Sequence, residues 1–277
     1  MSLSIIIVNW NTAKLLRDCL DSLKLDPPIR RMKLEIEVIV VDNGSTDGSI
    51  DEMQSFKASE KQNINLKIIK NKGNLGFSKA VNQGIKESTG EVVLLLNSDT
   101  IVKKGALKEL LDFEEKVGSV VVGARMLNPD GTVQGSCFYF PTVKRAILEY
   151  WLKKKNYFSK YAPAGLDSVE VEAVSGGAML ISRVLIDKIG MLDERYFMYF
   201  EDLDFCRRVR KAGYKIYYLP TAEIIHEHGA SGKTLVDPAD QWKRLIPSSK
   251  IYHGWLKHYL ISFILWSGQK CLKRKKQ

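Results

Sequence analysis

Apolar residues recur along the chain in two rhythms that take turns. Residues 3–9 (LSIIIVN) form an almost wholly apolar, β-branched run, the pattern of a strand buried on both faces of a parallel sheet. From Thr12 onward Leu15, Leu16, Cys19, Leu20 and Leu23 follow at helical spacing, with Thr12 placed as a cap and Pro27 and Pro28 as the stop. Residues 35–41 (EIEVIVV) predict a second buried strand, and Ser49 with Glu52 resembles a capping box opening the next helix. A strand over 66–70, a helix over 78–88, a strand over 91–96, a helix over 105–116 and a strand over 119–124 continue the alternation. This order predicts an α/β fold built on a doubly wound, mostly parallel sheet that binds ligands at the carboxyl ends of its strands.

Past Leu127 the rhythm weakens. Asn128-Pro129-Asp130-Gly131 reads as a hairpin turn, residues 142–155 as a helix and residues 156–166 as a mobile loop. Residues 169–174 and 178–182 predict strands flanking Gly176 and Gly177, where a backbone can approach a ligand closely. Two short strands are expected over 215–219 and 222–226, around Pro220, with His226 and His228 on one face. Residues 251–266 (IYHGWLKHYLISFILW) are aromatic and aliphatic, and Lys270, Lys273, Arg274, Lys275 and Lys276 follow them. Such an order resembles an in-plane anchor whose cations meet an anionic membrane surface. The alternative is a helix packed on the rest of the chain or on a second copy, giving a homodimer. The expected organisation is one unit over 1–240, halved at 125, and an amphipathic, basic segment over 241–277.

The 277 residues are 45% hydrophobic and 27% charged, which suits a globular chain. A formal net charge of +10 implies an anionic partner: nucleic acid, a phosphorylated small molecule or a lipid surface. Cys19, Cys137, Cys206 and Cys271 lack paired spacing, so neither a disulfide framework nor a zinc site is suggested, in keeping with a reducing cytoplasm. The apolar run at 5–8 is too short for a signal peptide, and no stretch reaches the roughly 18 apolar residues of a spanning helix.

Polar residues close the strands: Asn9-Trp10-Asn11 the first, Asp42-Asn43-Gly44 the second and Asn97-Ser98-Asp99 the fourth. Each alone is a plausible turn. Parallel strands, however, would bring Asp42 and Asp99 to one crevice. The most informative stretch is FMYFEDLDFCRRVRKAGY at 197–214, where Glu201, Asp202 and Asp204 follow an aromatic run and open a helix. Asp204 is explained by pairing with Arg208 one turn on. Two adjacent acids beside apolar surface are costly unless partnered or used, and a partly desolvated carboxylate is what a general base requires. No G-x-G-x-x-G follows the first strand. Gly232-Lys233-Thr234 mimics the end of a P-loop, but Glu227 stands where its first glycine belongs. A nucleic-acid module would interleave basic and aromatic residues over a sheet face, whereas here acids line the ligand edge. A nucleotidyltransferase would carry a glycine-rich basic loop where Asn9-Trp10-Asn11 stands.

In order, SIIIVNWN (4–11), VVDNGSTDGS (40–49), NLGFSKAVNQGI (74–85), LLLNSDT (94–100), SGGAMLISR (175–183), the 197–214 stretch and HEHGAS (226–231) resemble glycosyltransferase family 2. That family is inverting and has the GT-A fold; the match is closest to its rhamnosyltransferase-like bacterial branch. The resemblance implies transfer of a sugar, rhamnose being the guess, from a nucleoside-diphosphate sugar to a saccharide or lipid-linked acceptor in cell-surface polysaccharide synthesis. It implies that Asp42 holds the donor base, with Asn9, Asn11, Asn74, Phe77, Asn97 and Ser98 around the donor nucleotide. It implies Mg2+ or Mn2+ on Asp99 and His226, Asp202 as catalytic base, and Gly176, Gly177 and Glu201 at the donor sugar or acceptor, Glu201 orienting the acceptor or nearby arginines. Nucleic acid is not an expected partner, and the implied setting is the cytoplasmic face of a membrane, peripherally held. One departure stands out: Asn97 occupies the first position of the Asp-x-Asp metal motif, removing one charge. It leaves open a nucleotide-sugar-binding member without turnover, or a nucleotidyltransferase-like activity, as alternatives.

Overall fold

The computed structural model describes residues 2–24, 35–59, 64–227 and 243–274. In the first half, β1 (Ser2–Asn9), α1 (Ala13–Lys24), β2 (Glu35–Asp42), α2 (Ser49–Ser59), β3 (Ile64–Lys70), α3 (Phe77–Glu87) and β4 (Val92–Asn97) alternate as the apolar rhythm predicts. Then come β5 (Thr100–Val102), α4 (Ala106–Val117) and β6 (Val121–Leu127). The second half holds β7 (Val133–Gln134), β8 (Cys137–Phe138), α5 (Val143–Ala146), β9 (Val169–Glu170), β10 (Ala173–Val174), β11 (Ala178–Ser182), α6 (Arg183–Ile189), α7 (Glu201–Lys211) and β12 (Ile216–His226). Helices α8 (Leu245–His253) and α9 (Trp255–Arg274) close the chain.

The main sheet runs β3-β2-β1-β4-β11-β6-β12-β5. Strands β1 to β4 are parallel, β11 is antiparallel to β4 and β6 on either side, β12 runs parallel to β6, and β5 pairs antiparallel at the edge. Register fixes what gathers at the ligand edge. Asn9 lies opposite Asp42, and Val8 lies opposite Asn97. Because β11 is reversed, its beginning stands where its neighbour ends, with Ala178 opposite Leu96, so Gly176 and Gly177 arrive at the same edge.

Both faces of the sheet are covered, which is why β1, β2 and β4 read as unbroken apolar runs. On one face Leu16, Leu20, Met53, Phe56, Leu107 and Leu110 share a buried cluster with residues of β1, β2, β4 and β6; on the other Val81, Ile85, Leu185, Tyr196, Phe205 and Val209 share one with residues of β1, β4, β6 and β11. Helix α3 lies so close to β1 that a Cβ on Gly84 would stand 2.5 Å from Ile6. A smaller cluster of Ala146, Ile261 and Ile264 seats α9 on α5.

Four local expectations are corrected. Neither Thr12 nor Ser49 caps its helix through its hydroxyl. Asp47 serves both helices, its carboxylate accepting from Ala13 N–H at 2.8 Å and Ser49 N–H at 3.1 Å. The helix expected over 142–155 is broken: α5 gives way to a π-helical turn, Ile147–Trp151. The loop 156–166 is tied by Tyr161, which bridges to Cys137. The two strands around Pro220 are one strand, β12, whose register shifts between Leu219 and Glu223 to absorb the proline that cannot donate to a ladder. His228 and the basic side chains from Lys270 to the terminus lie outside the described residues.

Candidate active site

The ends of β2, β1 and β4 are joined by one polar network. Buried Asn9 donates from Nδ2 to Asp42 Oδ1 at 2.9 Å and to Ser45 Oγ at 3.1 Å. Thr12 Oγ1 donates to Asn9 Oδ1 at 2.7 Å and stands 2.9 Å from Ser98 Oγ. Asp42 Oδ2 accepts the Ser45 N–H at 3.0 Å. A carboxylate offers about four acceptor positions, so Asp42 retains capacity for a ligand N–H. Asn11, in the left-handed region at φ 52°, accepts the Thr46 N–H at 2.8 Å and steadies the 42–47 loop. Asn43 reaches across to Asn74 Oδ1 at 3.3 Å and to the Gly76 carbonyl at 3.1 Å.

The loop 74–77 joins this edge to the acidic stretch. The Phe77 N–H donates to the Phe197 carbonyl at 2.6 Å. Chain direction then turns through Tyr199 and Phe200, both left-handed at φ 68° and 69°. Two consecutive non-glycine residues in that region cost about 1–3 kcal/mol each. This strain aims Glu201 and Asp202 from the first turn of α7 back toward the glycine pair. Gly176 N–H donates to Asp202 Oδ2 at 3.3 Å, and Leu203 N–H to Oδ1 at 2.8 Å. A Cβ on Gly176 would lie 3.7 Å from both Asp202 Cβ and the Phe77 ring, so these three positions meet.

Burial raises the Asp202 carboxyl above its ordinary range, opposed by the positive charge of Lys160 and by the two backbone N–H donors. Glu201 is pushed up further by burial and by the charge of Asp202 beside it, and its Oε2 has no hydrogen-bond partner. The two titrate together as a coupled pair. The expected contact of Glu201 with arginines does not form: Arg207 and Arg208 both go to Asp204, at 2.8 Å and 2.9 Å. The Asp204–Arg208 pair is the one the sequence predicts.

On the other side of the glycine pair, the Asn97 N–H donates to the Gly177 carbonyl at 3.0 Å. His226, at the end of β12, stands with Nε2 3.3 Å from Asp99 Oδ1 and 3.3 Å from Asn97 Nδ2. Its Nδ1 lies 2.7 Å from Gln134 Oε1. An amide oxygen can only accept, so Nδ1 carries a proton toward Gln134, and in the neutral ring Nε2 is the nitrogen whose lone pair faces the Asp99 oxygen. Two acceptors facing each other at this distance suit a cation between them. No group of three or more His, Cys, Asp or Glu that could hold a metal exists among the described residues. Asp99 and His226 offer two ligands, and a divalent ion such as Mg2+ commonly takes the rest of its shell from phosphate and water.

Sequence reasoning missed three contributors. Gln134, which fixes the His226 tautomer, and Lys160, which opposes the rise of the Asp202 pKa, come from a hairpin and a loop with no motif of their own. Asp47 stands inside the VVDNGSTDGS run (40–49) with nothing to single it out.

Comparison with known proteins places these residues in context. The family model described as Glycosyl transferase family 2 matches residues 4–190. An N-acetylglucosaminyl-diphospho-decaprenol L-rhamnosyltransferase of Mycobacterium tuberculosis is 31% identical over 222 residues, covering 74% of this chain and 70% of that protein. A low-salt glycan biosynthesis hexosyltransferase of Haloferax volcanii is 26% identical over 96% of this chain and 76% of its own. Among solved structures, the mannosyltransferase PcManGT from Pyrobaculum calidifontis in complex with GDP-Man and Mn2+ superposes with a TM-score of 0.62 at 16% identity, covering 98% of this chain and 74% of that one. GalNAc-T7 with UDP, GalNAc and Mn2+ gives 0.63 at 16% identity over 82% of this chain, which spans 44% of that longer chain. These likenesses establish the GT-A fold.

Proposed function

The chain belongs to glycosyl transferase family 2 and is a glycosyltransferase, and we propose that it works by inversion, moving a sugar from a nucleoside-diphosphate donor to a saccharide on a lipid-linked acceptor. The observation that carries this reading is the position of Asp202, a part-buried carboxylate held by the N–H groups of Gly176 and Leu203 across a glycine pair from Asn97, Asp99 and His226. Asp202 accepts the acceptor hydroxyl proton as that oxygen forms its bond to the anomeric carbon. The bond from that carbon to the diphosphate breaks on the opposite face, so the centre inverts. General-base assistance of this kind is worth about 10²- to 10⁴-fold in rate.

Asn9, Asn11 and Asp42 line the donor nucleoside, Asn74 and Phe77 close its side, and Asn97 and Ser98 face its phosphates. Asp99 and His226 would hold Mg2+ or Mn2+, and such an ion, when bound, would offset charge developing on the leaving diphosphate. Gly176 and Gly177 lie under the transferred sugar or the acceptor. Rhamnose as the sugar, and a lipid diphosphate as the carrier of the acceptor, are supported by the mycobacterial relative.

The exposed face of α9, with Trp255, Leu256, Tyr259, Leu260, Phe263 and Trp266, suits an anionic membrane surface at which a lipid-linked acceptor resides. No helix among the described residues is long and apolar enough to cross a membrane. Leu256→Glu with Phe263→Glu is expected to release the protein from phosphatidylglycerol vesicles. Unchanged vesicle binding, or a dimer that the two substitutions dissociate, would reassign that face.

The first experiment is calorimetric titration with dTDP and UDP, each with and without Mn2+, followed by transfer from the matching nucleotide sugar with the product anomer read by NMR. Metal-dependent binding of one nucleotide and an inverted product are expected. Retention of configuration, or binding of neither nucleotide, would overturn the reading.

A further inference from the structure

A second concavity, of about 420 Å³, opens where the segment leading into α5 meets α7, α8 and α9. Its walls combine apolar surface from Phe140 and Ile261 with the basic side chains Lys144, Arg207 and Lys257, and no acidic residue lines it. Arg207 is partly neutralised by Asp204 at 2.8 Å and lies 4.2 Å over the Tyr252 ring, which fixes it at the cavity wall. Lys144 and Lys257 are exposed and have no carboxylate partner among the described residues. Burial, together with the charges of His258, Arg207 and Lys257, holds the pKa of His253, another wall residue, down to about 4. The imidazole is therefore neutral at pH 7 and adds a hydrogen-bonding group rather than a fourth charge.

Two neighbours give this basic cavity its meaning. One is the apolar face of α9. Leu260 sits about 60° round the helix from Lys257, and the exposed stripe continues from it through Leu256, which is 82% exposed, to Phe263. Trp151 extends the stripe, its indole donating to Ser267 at 2.9 Å. The other neighbour is the catalytic turn. Phe200, just before the paired acids, packs 5.3 Å from the Tyr252 ring of the cavity wall. Arg207 follows Asp202 by five residues on α7, so the helix that carries the base also supplies one wall of the cavity.

We propose that this cavity binds the diphosphate of an isoprenoid-diphosphate-linked saccharide, with the isoprenoid chain lying along the α9 stripe and the saccharide extending toward Asp202. The charge of the cavity matches the diphosphate, the adjoining apolar stripe matches the chain, and the Phe200–Tyr252 contact joins the cavity wall to the turn that carries Asp202. This site lies apart from the donor edge formed by Asn9, Asp42 and Asp99. The inference rests on the transferase reading above and adds where the acceptor is held.

The test uses the full chain and farnesyl diphosphate as probe, with inorganic pyrophosphate and farnesol as controls. Wild-type protein binds farnesyl diphosphate more tightly than either control. Lys144→Gln combined with Lys257→Gln weakens that binding at least about tenfold, two charge-assisted phosphate contacts being lost, and leaves nucleotide binding within twofold. Charge reversal at the same two exposed positions deepens the loss. Binding no tighter than pyrophosphate, or binding indifferent to the lysines, overturns the site, and does so while nucleotide binding still reports on the donor edge. Lysine-dependent farnesyl diphosphate binding in a protein that binds no nucleotide sustains the site and sinks the transferase reading instead.

Discussion

The N–H of Gly176 lies 3.3 Å from Asp202 Oδ2, and this contact ties the reversed strand β11 to the helix that carries the paired acids. The next residue, Gly177, accepts the Asn97 N–H at 3.0 Å. Two adjacent glycines thus span the distance between a carboxylate on one side and the Asn97, Asp99 and His226 group on the other. Side chains here would intrude: a Cβ on Gly177 would lie 2.9 Å from Met126 and 3.2 Å from Asn97 Nδ2. Met126 and Asn97 already occupy the space that a side chain at 177 would need, so only backbone fits at this buried junction between the two polar groups.

Asp202→Asn keeps the shape and removes the base. Transfer is expected to fall by about 10²- to 10⁴-fold while nucleotide affinity, measured by calorimetry, stays within twofold. Stability moves the other way. A carboxyl whose folded pKa is raised contributes stability at low pH that is lost as pH rises through that pKa. The variant should therefore melt higher than wild type at pH 8 and alike at pH 3, where both carry a neutral group. Turnover near wild type would remove Asp202 from its role.

Lys160 favours the charged form of Asp202 and opposes the rise that burial causes. Lys160→Gln should raise the Asp202 pKa further. A base acts only when deprotonated, so the acid limb of the kcat/KM profile should move to higher pH, with the plateau largely retained. An acid limb in the same place would mean that another cation, or none, sets the base.

The sheet edge was readable because strand ends and side-chain periodicity fix position in one dimension: a buried parallel run followed by polar residues must deliver those residues to the carboxyl edge. Asn9, Asp42, Asn97 and Asp99 followed from that rule. Helix caps were read less well, since Thr12 and Ser49 have the right residue type at the right offset, yet Thr12 is engaged by Asn9 and Ser98 and the Ser49 hydroxyl by Asp47. Asp47 takes both positions because the fold brings the starts of α1 and α2 together, which no local pattern records. Gln134 and Lys160 are of the same kind: each acts on a residue far along the chain. Pro220 misled for a different reason, because a register shift lets one strand carry a residue that locally reads as a break.

The tautomer of His226 depends on Gln134, whose Oε1 lies 2.7 Å from Nδ1. Gln134→Leu should weaken Mn2+-dependent nucleotide binding by about 10- to 100-fold, the range found for partners that orient metal-binding histidines. Asp99→Ala should weaken it at least as much. Nucleotide titration at several Mn2+ concentrations separates this from activity. Affinity indifferent to Mn2+ in wild type, or unchanged in both variants, would count against a metal at this position.

Asp204 is the anchor of α7 rather than part of the chemistry. Its side chain is buried, its two oxygens accept from Arg207 and Arg208, and Arg208 also donates to the carbonyls of Ile189 at 2.8 Å and Met191 at 2.7 Å. Removing the carboxylate leaves Arg208 among carbonyls without its counter-charge. The arginines keep some solvent contact, so the cost should fall at or below the low end of the 3–5 kcal/mol typical of broken buried pairs, about 2–3 kcal/mol. Asp204→Ala is expected to lose that much in urea unfolding, and to lower kcat through the position of Asp202 with little change in donor affinity. Asp204→Asn keeps one oxygen to accept from one arginine but turns an amide NH2 toward the other, so it should recover only a small part of both losses. A variant as stable as wild type would show that α7 is held by Phe205, Cys206 and Val209 alone, and that the ion pairs beside the site contribute nothing to placing its base.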